Sequence, residues 1–227
     1  VVRPGTSSDR VGAGTLTSTR PRVASQLYQE GVRAFYESDW SAARRLMGAA
    51  LREDSTFALA AYFNAVMADE QVGQARQHAL QLAQRAPRRE RQRIVADLLQ
   101  RDQAPAAIAA AVAWTAASTT DARAFITLGS SLASAGDFAG AAAALERAIT
   151  LDLEDERTTP GGCRVCEGYD RLADLYFWWD SFPAVERTAR RQLNGHPDEP
   201  LPWATLALAA ARMGDSATAF SHLRHYV

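Results

Sequence analysis

The chain has 227 residues, of which 47% are hydrophobic and 22% charged, and its formal net charge is −1. This balance is typical of a globular protein and excludes disordered and collagen-like chains. A net charge near zero also argues against nucleic acid as a partner, because phosphate binding needs a strong positive field. No apolar run reaches the ~18 residues that a membrane span needs, so we expect no spanning helix.

Residue usage indicates origin more than chemistry. All the basic residues are arginine, the sequence contains no lysine, and alanine is abundant. We interpret both features as the mark of a GC-rich bacterial genome. The two cysteines are too few for a disulfide-dense scaffold.

The first 22 residues differ from the rest of the chain. They are rich in glycine, serine, threonine, arginine and proline, and they follow neither the period of a strand nor that of a helix. This pattern predicts an extended arm over 1–22. A segment of this kind becomes ordered only where something ties it down, which favours docking on its own domain or on a neighbouring subunit.

From Val23 onward the sequence predicts helices. Apolar residues recur three and four positions apart, and good helix formers dominate. Polar or glycine-containing breaks separate the periodic segments, for example at Ser38-Asp39, Gly136-Asp137 and Gly214-Asp215. No segment alternates as a strand does, so we expect an all-α fold made of helical hairpins.

A self-similarity at 34 residues runs through this helical region. The small residue in each stretch lets the two helices of a hairpin approach closely, and large residues fill the remaining space. The stretches resemble the tetratricopeptide repeat (TPR), whose first helix has the pattern W-x2-L-G-x2-Y. They are Phe125-x2-Leu128-Gly129-x2-Leu132, Tyr169-x2-Leu172-Ala173-x2-Tyr176 and Trp203-x2-Leu206-Ala207-x2-Ala210.

The resemblance implies a right-handed α-α superhelix of about six TPR-like hairpins over 23–227. The hairpins must stack, because no single hairpin buries its own apolar face. A loop is inserted at 153–162. The expected units lie at about 24–54, 56–87, 88–119, 121–153, 163–197 and 200–227.

The resemblance also implies a protein-binding groove, since the first helix of each TPR pair lines a concave face. TPR co-chaperones grip a terminal carboxylate there with Lys, Asn and Arg, which this chain lacks at those places. An apolar or aromatic-rich segment fits better, with the acidic groove residues offering a site for Arg or Lys. The expected groove residues are Tyr28, Val32, Phe35, Tyr36, Tyr62, Val66, Asp69, Ile126, Asp170, Asp174, Phe177 and Trp178.

Four consecutive aromatic residues, Tyr176-Phe177-Trp178-Trp179, are the most suggestive stretch. Successive helical residues point about 100° apart, so these four cannot all face the core. Exposed Trp and Tyr are typical anchors of protein interfaces. The alternative is that the inserted loop covers them.

The motif Cys163-x2-Cys166 is the one candidate for site chemistry. It is compatible with a redox pair, half of a zinc site or a local disulfide, whereas haem attachment would need a histidine where Glu167 stands. No second cysteine pair completes a zinc site, and only His196 lies in the same unit. A structural role is favoured, in which a local disulfide or two small buried residues pin the inserted loop to the fifth unit. A disulfide would favour the periplasm, whereas reduced cysteines fit the cytoplasm equally.

Two charged or imidazole-bearing stretches are weaker candidates. His222 and His225 share one helical face and offer two metal ligands at most, so surface histidines are the favoured interpretation. The run from Arg85 to Arg93 is locally basic; it is either a solvated surface or a docking patch for an acidic partner or anionic lipid.

These observations together predict a non-enzymatic protein-protein interaction scaffold with no catalytic residues, cofactor or metal. The sharper hypothesis is an accessory subunit that fastens parts of a larger bacterial assembly, such as an extrinsic subunit of a respiratory or photosynthetic membrane complex. The partners are then proteins, with peripheral membrane contact as an option. The rival hypotheses are a TPR regulatory module of a kinase or transcription regulator and, least favoured, a redox or metal protein built on Cys163 and Cys166.

Overall fold

The computed structural model of the protein describes residues 21–156 and 165–226. Within these two ranges every regular element is an α-helix, and twelve helices follow one another along the chain. They are α1 (Arg22–Tyr36), α2 (Trp40–Glu53), α3 (Ala58–Val66), α4 (Val72–Ala83), α5 (Arg88–Arg101), α6 (Ala107–Ala117), α7 (Ala122–Ser134), α8 (Phe138–Glu156), α9 (Val165–Trp178), α10 (Phe182–Gly195), α11 (Leu201–Arg212) and α12 (Ser216–Tyr226).

Two predicted boundaries differ from the helices observed. Helix α1 already begins at Arg22, inside the range expected to be the arm, and residues 1–20 lie outside the described residues. Helix α8 continues to Glu156, four residues into the predicted inserted loop, because Leu151 is buried and Leu153 packs against the same core cluster. The rest of that loop, 157–162, lies outside the described residues.

The chain divides into two compact units, with the division between Leu82 and Ala83. We call them the N-terminal unit and the C-terminal unit. In the N-terminal unit α1 packs on α2, and α2 packs on α3. The close contact of the first pair depends on Gly31, since a methyl group there would lie 3.0 Å from the terminal carbon of Met47.

In the C-terminal unit the helices pair as hairpins: α5 with α6, α7 with α8, α9 with α10, and α11 with α12. The first helices of successive hairpins also touch, so α5, α7, α9 and α11 form one row. One core cluster of this unit includes Ile126, Leu145, Ile149, Tyr169 and Leu172. This packing confirms the all-α fold of helical hairpins.

Local sequence explains where the hairpins turn. Asp39 accepts a hydrogen bond from the Ala42 amide and so caps the start of α2. Gly136 and Gly214 both have φ values above +80°, a conformation that glycine adopts without strain, and each ends the first helix of its hairpin. No helix in the described ranges is long and apolar enough to span a membrane.

Candidate functional site

The strongest candidate surface is one side of α9, formed by Asp170, Asp174, Phe177 and Trp178. The other three residues follow Asp170 by four, seven and eight positions, so all four share one face of the helix. The opposite side of α9 is buried in the core through Tyr169 and other apolar residues. Because one side is fixed by packing, the other is held outward. We call these four residues the α9 face.

Asp170 lies in the acidic half of the α9 face. Its carboxylate accepts a hydrogen bond of 3.2 Å from the Gln192 amide of α10. Burial is the main influence and raises the pKa of Asp170 to about 6, while the Gln192 hydrogen bond opposes the rise and the carboxylates of Asp174, Glu199 and Glu167 add to it. Partial burial thus makes the ionised form of Asp170 less favourable, and the neighbouring carboxylates add to this effect.

Asp174, one turn further along, is the second acid of the α9 face. Burial raises its pKa above the ordinary value, and the Arg171 guanidinium opposes that rise. The Arg171 guanidinium also lies 4.0 Å from a carboxylate oxygen of Glu167. The acidic half of the α9 face therefore has two carboxylates, and Glu167 and Arg171 of the same helix lie beside it.

The aromatic half of the α9 face follows directly. The Trp178 side chain is 77% exposed, and its ring meets the Phe177 ring edge-on at 6.5 Å. Phe177 also contacts Phe182 of α10, and the Arg212 guanidinium of α11 lies 5.1 Å from the Phe177 ring centre. Arg212 therefore places a cation over this end of the face.

Trp179 shows that the four consecutive aromatics do point in different directions. Its ring stacks on Tyr176 at 6.3 Å and contacts Phe138 of α8 at 5.8 Å, which leaves it 46% exposed. Trp178 has no comparable packing among the ring contacts of the described residues. The alternative, in which the inserted loop covers these rings, concerns residues outside the described ranges.

A charged network that the sequence did not reveal connects α9 to α7 and α5. Asp97 of α5 is buried and accepts hydrogen bonds from Arg101 at 2.7 Å and from Arg123 of α7 at 3.0 Å. Arg123 also donates to Glu167 of α9. One arginine thus joins three successive first helices, which fixes the position of α9 relative to α7 and α5.

In the C-terminal unit, Ile126 departs from its expected role in the groove. Its side chain is only 5% exposed and packs with Leu145 and Leu172 in the core cluster described above. It presents no surface to a partner in this structure, because the next hairpin covers it. The other groove residues predicted in this unit are the four members of the α9 face.

The groove residues predicted in the N-terminal unit are largely engaged with one another. Tyr62 is 2% exposed, so it also belongs to the core instead of a binding surface. Tyr28 packs on Phe57 at 4.8 Å, and Phe35 packs on Phe63 at 5.1 Å. These rings fill the space between α1 and α3.

The remaining groove residues of this unit lie nearer to solvent. Tyr36 is exposed, and Val32 and Val66 are partly buried. Asp69 is exposed and its carboxylate pairs with the Arg44 guanidinium at 2.8 Å. An acid already neutralised by an arginine of its own unit is a weaker site for a cationic partner.

The cysteine motif is described only in part. Cys166 is disulfide-bonded, whereas Cys163 lies outside the described residues, so their pairing stays a prediction. His196 is partly buried in the connection after α10. No group of three or more potential metal-ligating side chains occurs in the described ranges.

The two histidines of α12 have an aromatic partner. The His225 ring stacks on Trp203 of α11 at 4.4 Å, and the His222 ring lies 5.8 Å from the same indole. Burial and the nearby Arg190 lower the pKa of His222 below its ordinary value. These contacts indicate a packing role, in which the imidazoles hold α12 against α11.

The basic run at the start of α5 is split between surface and interior. Arg88, Arg89 and Arg91 are exposed, and Arg93 is partly buried. Glu90, which interrupts the run, is buried. Three exposed arginines within about one helical turn form a small cationic surface, for which the structure shows no ligand chemistry beyond charge.

The fold can be compared with known proteins. No protein-family model matches the chain, and no curated protein matches it. Among solved structures, PilW, described as a widely conserved type IV pilus biogenesis factor, gives a TM-score of 0.61 at 17% identity over 89% of this chain and 91% of its own. A chain of the APC/C hetero-tetramer Cut9–Hcn1 gives 0.63 at 16% identity over 93% of this chain and 41% of its own.

A third solved structure carries the repeat in its description. It is a tetratricopeptide repeat protein from Parabacteroides merdae, which matches with a TM-score of 0.52 at 13% identity over 90% of this chain and 78% of its own. Identities this low establish the fold and nothing further. They confirm the TPR-type helical repeat that the 34-residue period predicted.

Proposed function

We propose that this TPR-type helical repeat protein is a non-enzymatic protein-protein interaction scaffold, an accessory subunit that fastens parts of a larger assembly. The observation that carries the proposal is Trp178, an indole 77% exposed beside two aspartates on a helix whose other side is locked in the core. A rigid, exposed Trp is a typical anchor of a protein interface, because it offers a large contact area at a small loss of side-chain entropy.

A second exposed apolar surface supports the fastening role. Helices α11 and α12 form an open depression of about 420 Å³, and its lining includes the exposed Leu208, Phe220 and Leu223. Contiguous exposed apolar area of this kind is typical of interaction sites. A subunit that joins two components needs two such surfaces, and the C-terminal unit offers this one and the α9 face.

Two of the similar structures lend support by analogy. PilW is named as a pilus biogenesis factor, and the Cut9–Hcn1 chain is part of a hetero-tetramer. An accessory subunit of a larger assembly is compatible with both descriptions. The transfer to this chain rests on the fold alone, so the experiment below tests it directly.

The finer form of the proposal is an extrinsic subunit of a bacterial membrane complex. The exposed Arg88, Arg89 and Arg91 support it, since a cationic surface favours contact with an acidic partner or anionic lipid. We expect the protein to sediment with membranes at low salt and to be released at about 1 M salt, where the Debye length is about 3 Å. Equal recovery in the soluble fraction at low and high salt would contradict this finer form.

The test of the proposed function is native purification of the tagged chain from its own cells. We compare the wild type with Trp178→Ala and with Val112→Ala, an exposed apolar residue on α6 that is not part of the α9 face. The proposal expects co-purifying proteins in stoichiometric yield with the wild type and with Val112→Ala. It expects the loss of at least one of them with Trp178→Ala, since a partner on the α11–α12 surface can be retained. A wild-type chain that elutes alone, or partners retained equally by all three, would overturn the assignment.

A further inference from the structure

The spacing along the α9 face restricts what can lie on it. Asp170, Asp174 and Trp178 are each four residues apart, which places them about 6 Å apart along the helix axis. In an extended chain, side chains on the same side recur every two residues, or about 6.6–6.8 Å. The two repeats differ by less than about 1 Å per step, so three alternate side chains of an extended segment can meet these three residues in turn.

From this match we propose that the α9 face binds an extended protein segment of the form basic-x-basic-x-aromatic. The two basic side chains lie against Asp170 and Asp174, and the aromatic side chain lies against Trp178. The inference rests on the proposed function and deepens it by naming the chemistry of the partner.

Charge complementarity accounts for the two basic positions. Glu167 is already paired with Arg123, whereas the hydrogen bond to Asp170 comes from the Gln192 amide, which carries no charge. Asp174, Glu199 and Glu167 add negative charge around it. A guanidinium or ammonium group gives Asp170 the cation that the Gln192 amide does not supply, and the partial burial of Asp170 makes the attraction stronger than at an open surface. Asp174 is the weaker of the two basic positions, because it is exposed and the Arg171 guanidinium already acts on it.

The opposite end of the face disfavours a third cation. The Arg212 guanidinium lies 5.1 Å from the Phe177 ring centre and 5.6 Å from the Phe182 ring centre, so positive charge already covers this cluster. An uncharged aromatic side chain gains contact with the exposed Trp178 indole without repulsion from Arg212. The face therefore has a polarity, and a segment that runs parallel to α9 meets it in the order basic, basic, aromatic.

Binding of this kind is coupled to the protonation of Asp170. In the free protein, burial raises the pKa of this carboxyl group to about 6. The acids Asp174, Glu199 and Glu167 add to the rise, and the Gln192 hydrogen bond opposes it. A bound cation favours the ionised carboxylate and therefore releases a proton. The affinity is highest above about pH 6 and falls as the pH drops through that value.

Fluorescence anisotropy with the full chain and blocked, labelled nonapeptides tests the proposal. The probe is Gly-Ser-Arg-Ser-Arg-Ser-Phe-Ser-Gly. Three matched peptides replace both Arg by Gln, replace Phe by Ala, or reorder the core to Arg-Arg-Ser-Ser-Phe, which keeps the composition and breaks the alternation. We expect the probe to bind at least about 10-fold more tightly than each of the three at pH 7.5, the equivalent of about 1.4 kcal/mol. At pH 5 it should lose most of its advantage over the peptide with Gln in place of Arg.

Variants of the protein complete the test. Asp170→Asn combined with Asp174→Asn should remove the preference for Arg over Gln and its pH dependence, and Trp178→Ala should remove the preference for Phe over Ala. Glu53→Gln combined with Glu70→Gln, two exposed acids of the N-terminal unit, is the charge-matched control and should change neither preference. Far-UV circular dichroism verifies that each variant retains its helices.

Equal affinity for the Arg and Gln peptides, or an affinity that does not change between pH 7.5 and pH 5, would overturn the inference. Equal affinity for the probe and the reordered peptide would overturn the alternating motif. If these failures occur while natural partners still depend on Trp178 in the purification experiment, the scaffold function stands and only the partner chemistry is wrong. If natural partners do not depend on Trp178 either, both proposals fail.

Discussion

Phe63 of α3 and Trp178 at the end of α9 have opposite fates. In the N-terminal unit, Phe63 is 2% exposed and contacts the rings of Tyr28, Phe35 and Tyr62. We call these four rings the closed cluster. At the end of α9, Trp178 has one ring neighbour and is mostly exposed. An aromatic ring becomes part of the core where rings of a facing helix pack against it. No ring of a facing helix packs against Trp178 among the described residues. The same residue class therefore serves stability in one region and contact in the other.

The sharpest way to break this comparison is to remove a ring from the closed cluster. Phe63→Ala should lower the free energy of unfolding by about 3–5 kcal/mol, because a buried ring in contact with Tyr28, Phe35 and Tyr62 leaves a cavity. Urea denaturation followed by circular dichroism measures the change. A loss below about 1 kcal/mol would show that the cluster is not a packed core.

The second prediction concerns the network that holds α9 in place. Arg123→Met should destabilise the protein by about 2–4 kcal/mol, since it leaves the buried carboxylate of Asp97 with one fewer cation. The matched control is Arg190→Met, which removes an exposed pair with Glu186 and should cost less than about 1 kcal/mol. Similar losses for the two variants, measured in the same urea titrations, would contradict a structural role for the network.

Gly129 tests the close approach of α7 and α8, and Gly73 is its control. A methyl group at Gly129 would lie 2.7 Å from Leu145 and 3.2 Å from the Ala141 carbonyl oxygen, so Gly129→Ala should destabilise by about 1–3 kcal/mol. Gly73, in α4, has open space around it, and Gly73→Ala should stabilise by about 0.5–1 kcal/mol. Thermal melts of both variants measure the sign. A stabilising Gly129→Ala would mean that the hairpin is not packed as described.

The acidic half of the α9 face should carry a stability cost near neutral pH. The folded state raises the pKa of Asp170 from 3.8 to about 6, so between these values the folded protein binds more protons than the unfolded one. Stability therefore falls as the pH rises from about 4 to about 6. Asp170→Asn should remove this dependence and stabilise the protein at pH 7 by about 1–2 kcal/mol, after allowance for solvent screening.

Urea titrations at pH 4 and pH 7 check the Asp170 prediction. The wild type and Asp170→Asn should differ more at pH 7 than at pH 4. A variant that is less stable than the wild type at pH 7 would show that the carboxylate contributes a favourable contact in the folded state, and the cost assigned to this end of α9 would be wrong.

The smallest expected effect is that of Trp178→Ala on stability. An exposed side chain outside the core should change the free energy of unfolding by no more than about 0.5 kcal/mol. Differential scanning calorimetry measures it beside Phe63→Ala. A loss of 2 kcal/mol or more would remove the distinction between a core aromatic and a contact aromatic on which the comparison depends.

The sequence predicted the hairpins well because their determinants are local. The 34-residue period located Gly129 at a helix crossing, and the break at Gly136-Asp137 falls between α7 and α8 as expected. Helix period, turn residues and small residues at crossings all act within about one repeat. These signals are sufficient for the all-α repeat fold.

The sequence predicted the surface less well because burial depends on distant partners. Family position placed Ile126 in the groove, but its depth is decided by Leu145 and Leu172 of neighbouring helices. Arg123 meets carboxylates 26 and 44 residues away, and no spacing rule connects them. A charge pattern within one helix could reveal only the Asp97–Arg101 pair, which is four residues apart.

The most direct test of the central claim is photo-crosslinking in the native cell. A photoreactive benzoylphenylalanine replaces Trp178 in one strain and the exposed Val112 in another, and the captured peptides are sequenced. The account predicts crosslinks at position 178 to a segment with alternating basic residues beside an aromatic one, and none of these at position 112. Capture of the same peptides at both positions, or of segments without that pattern at position 178, would contradict it.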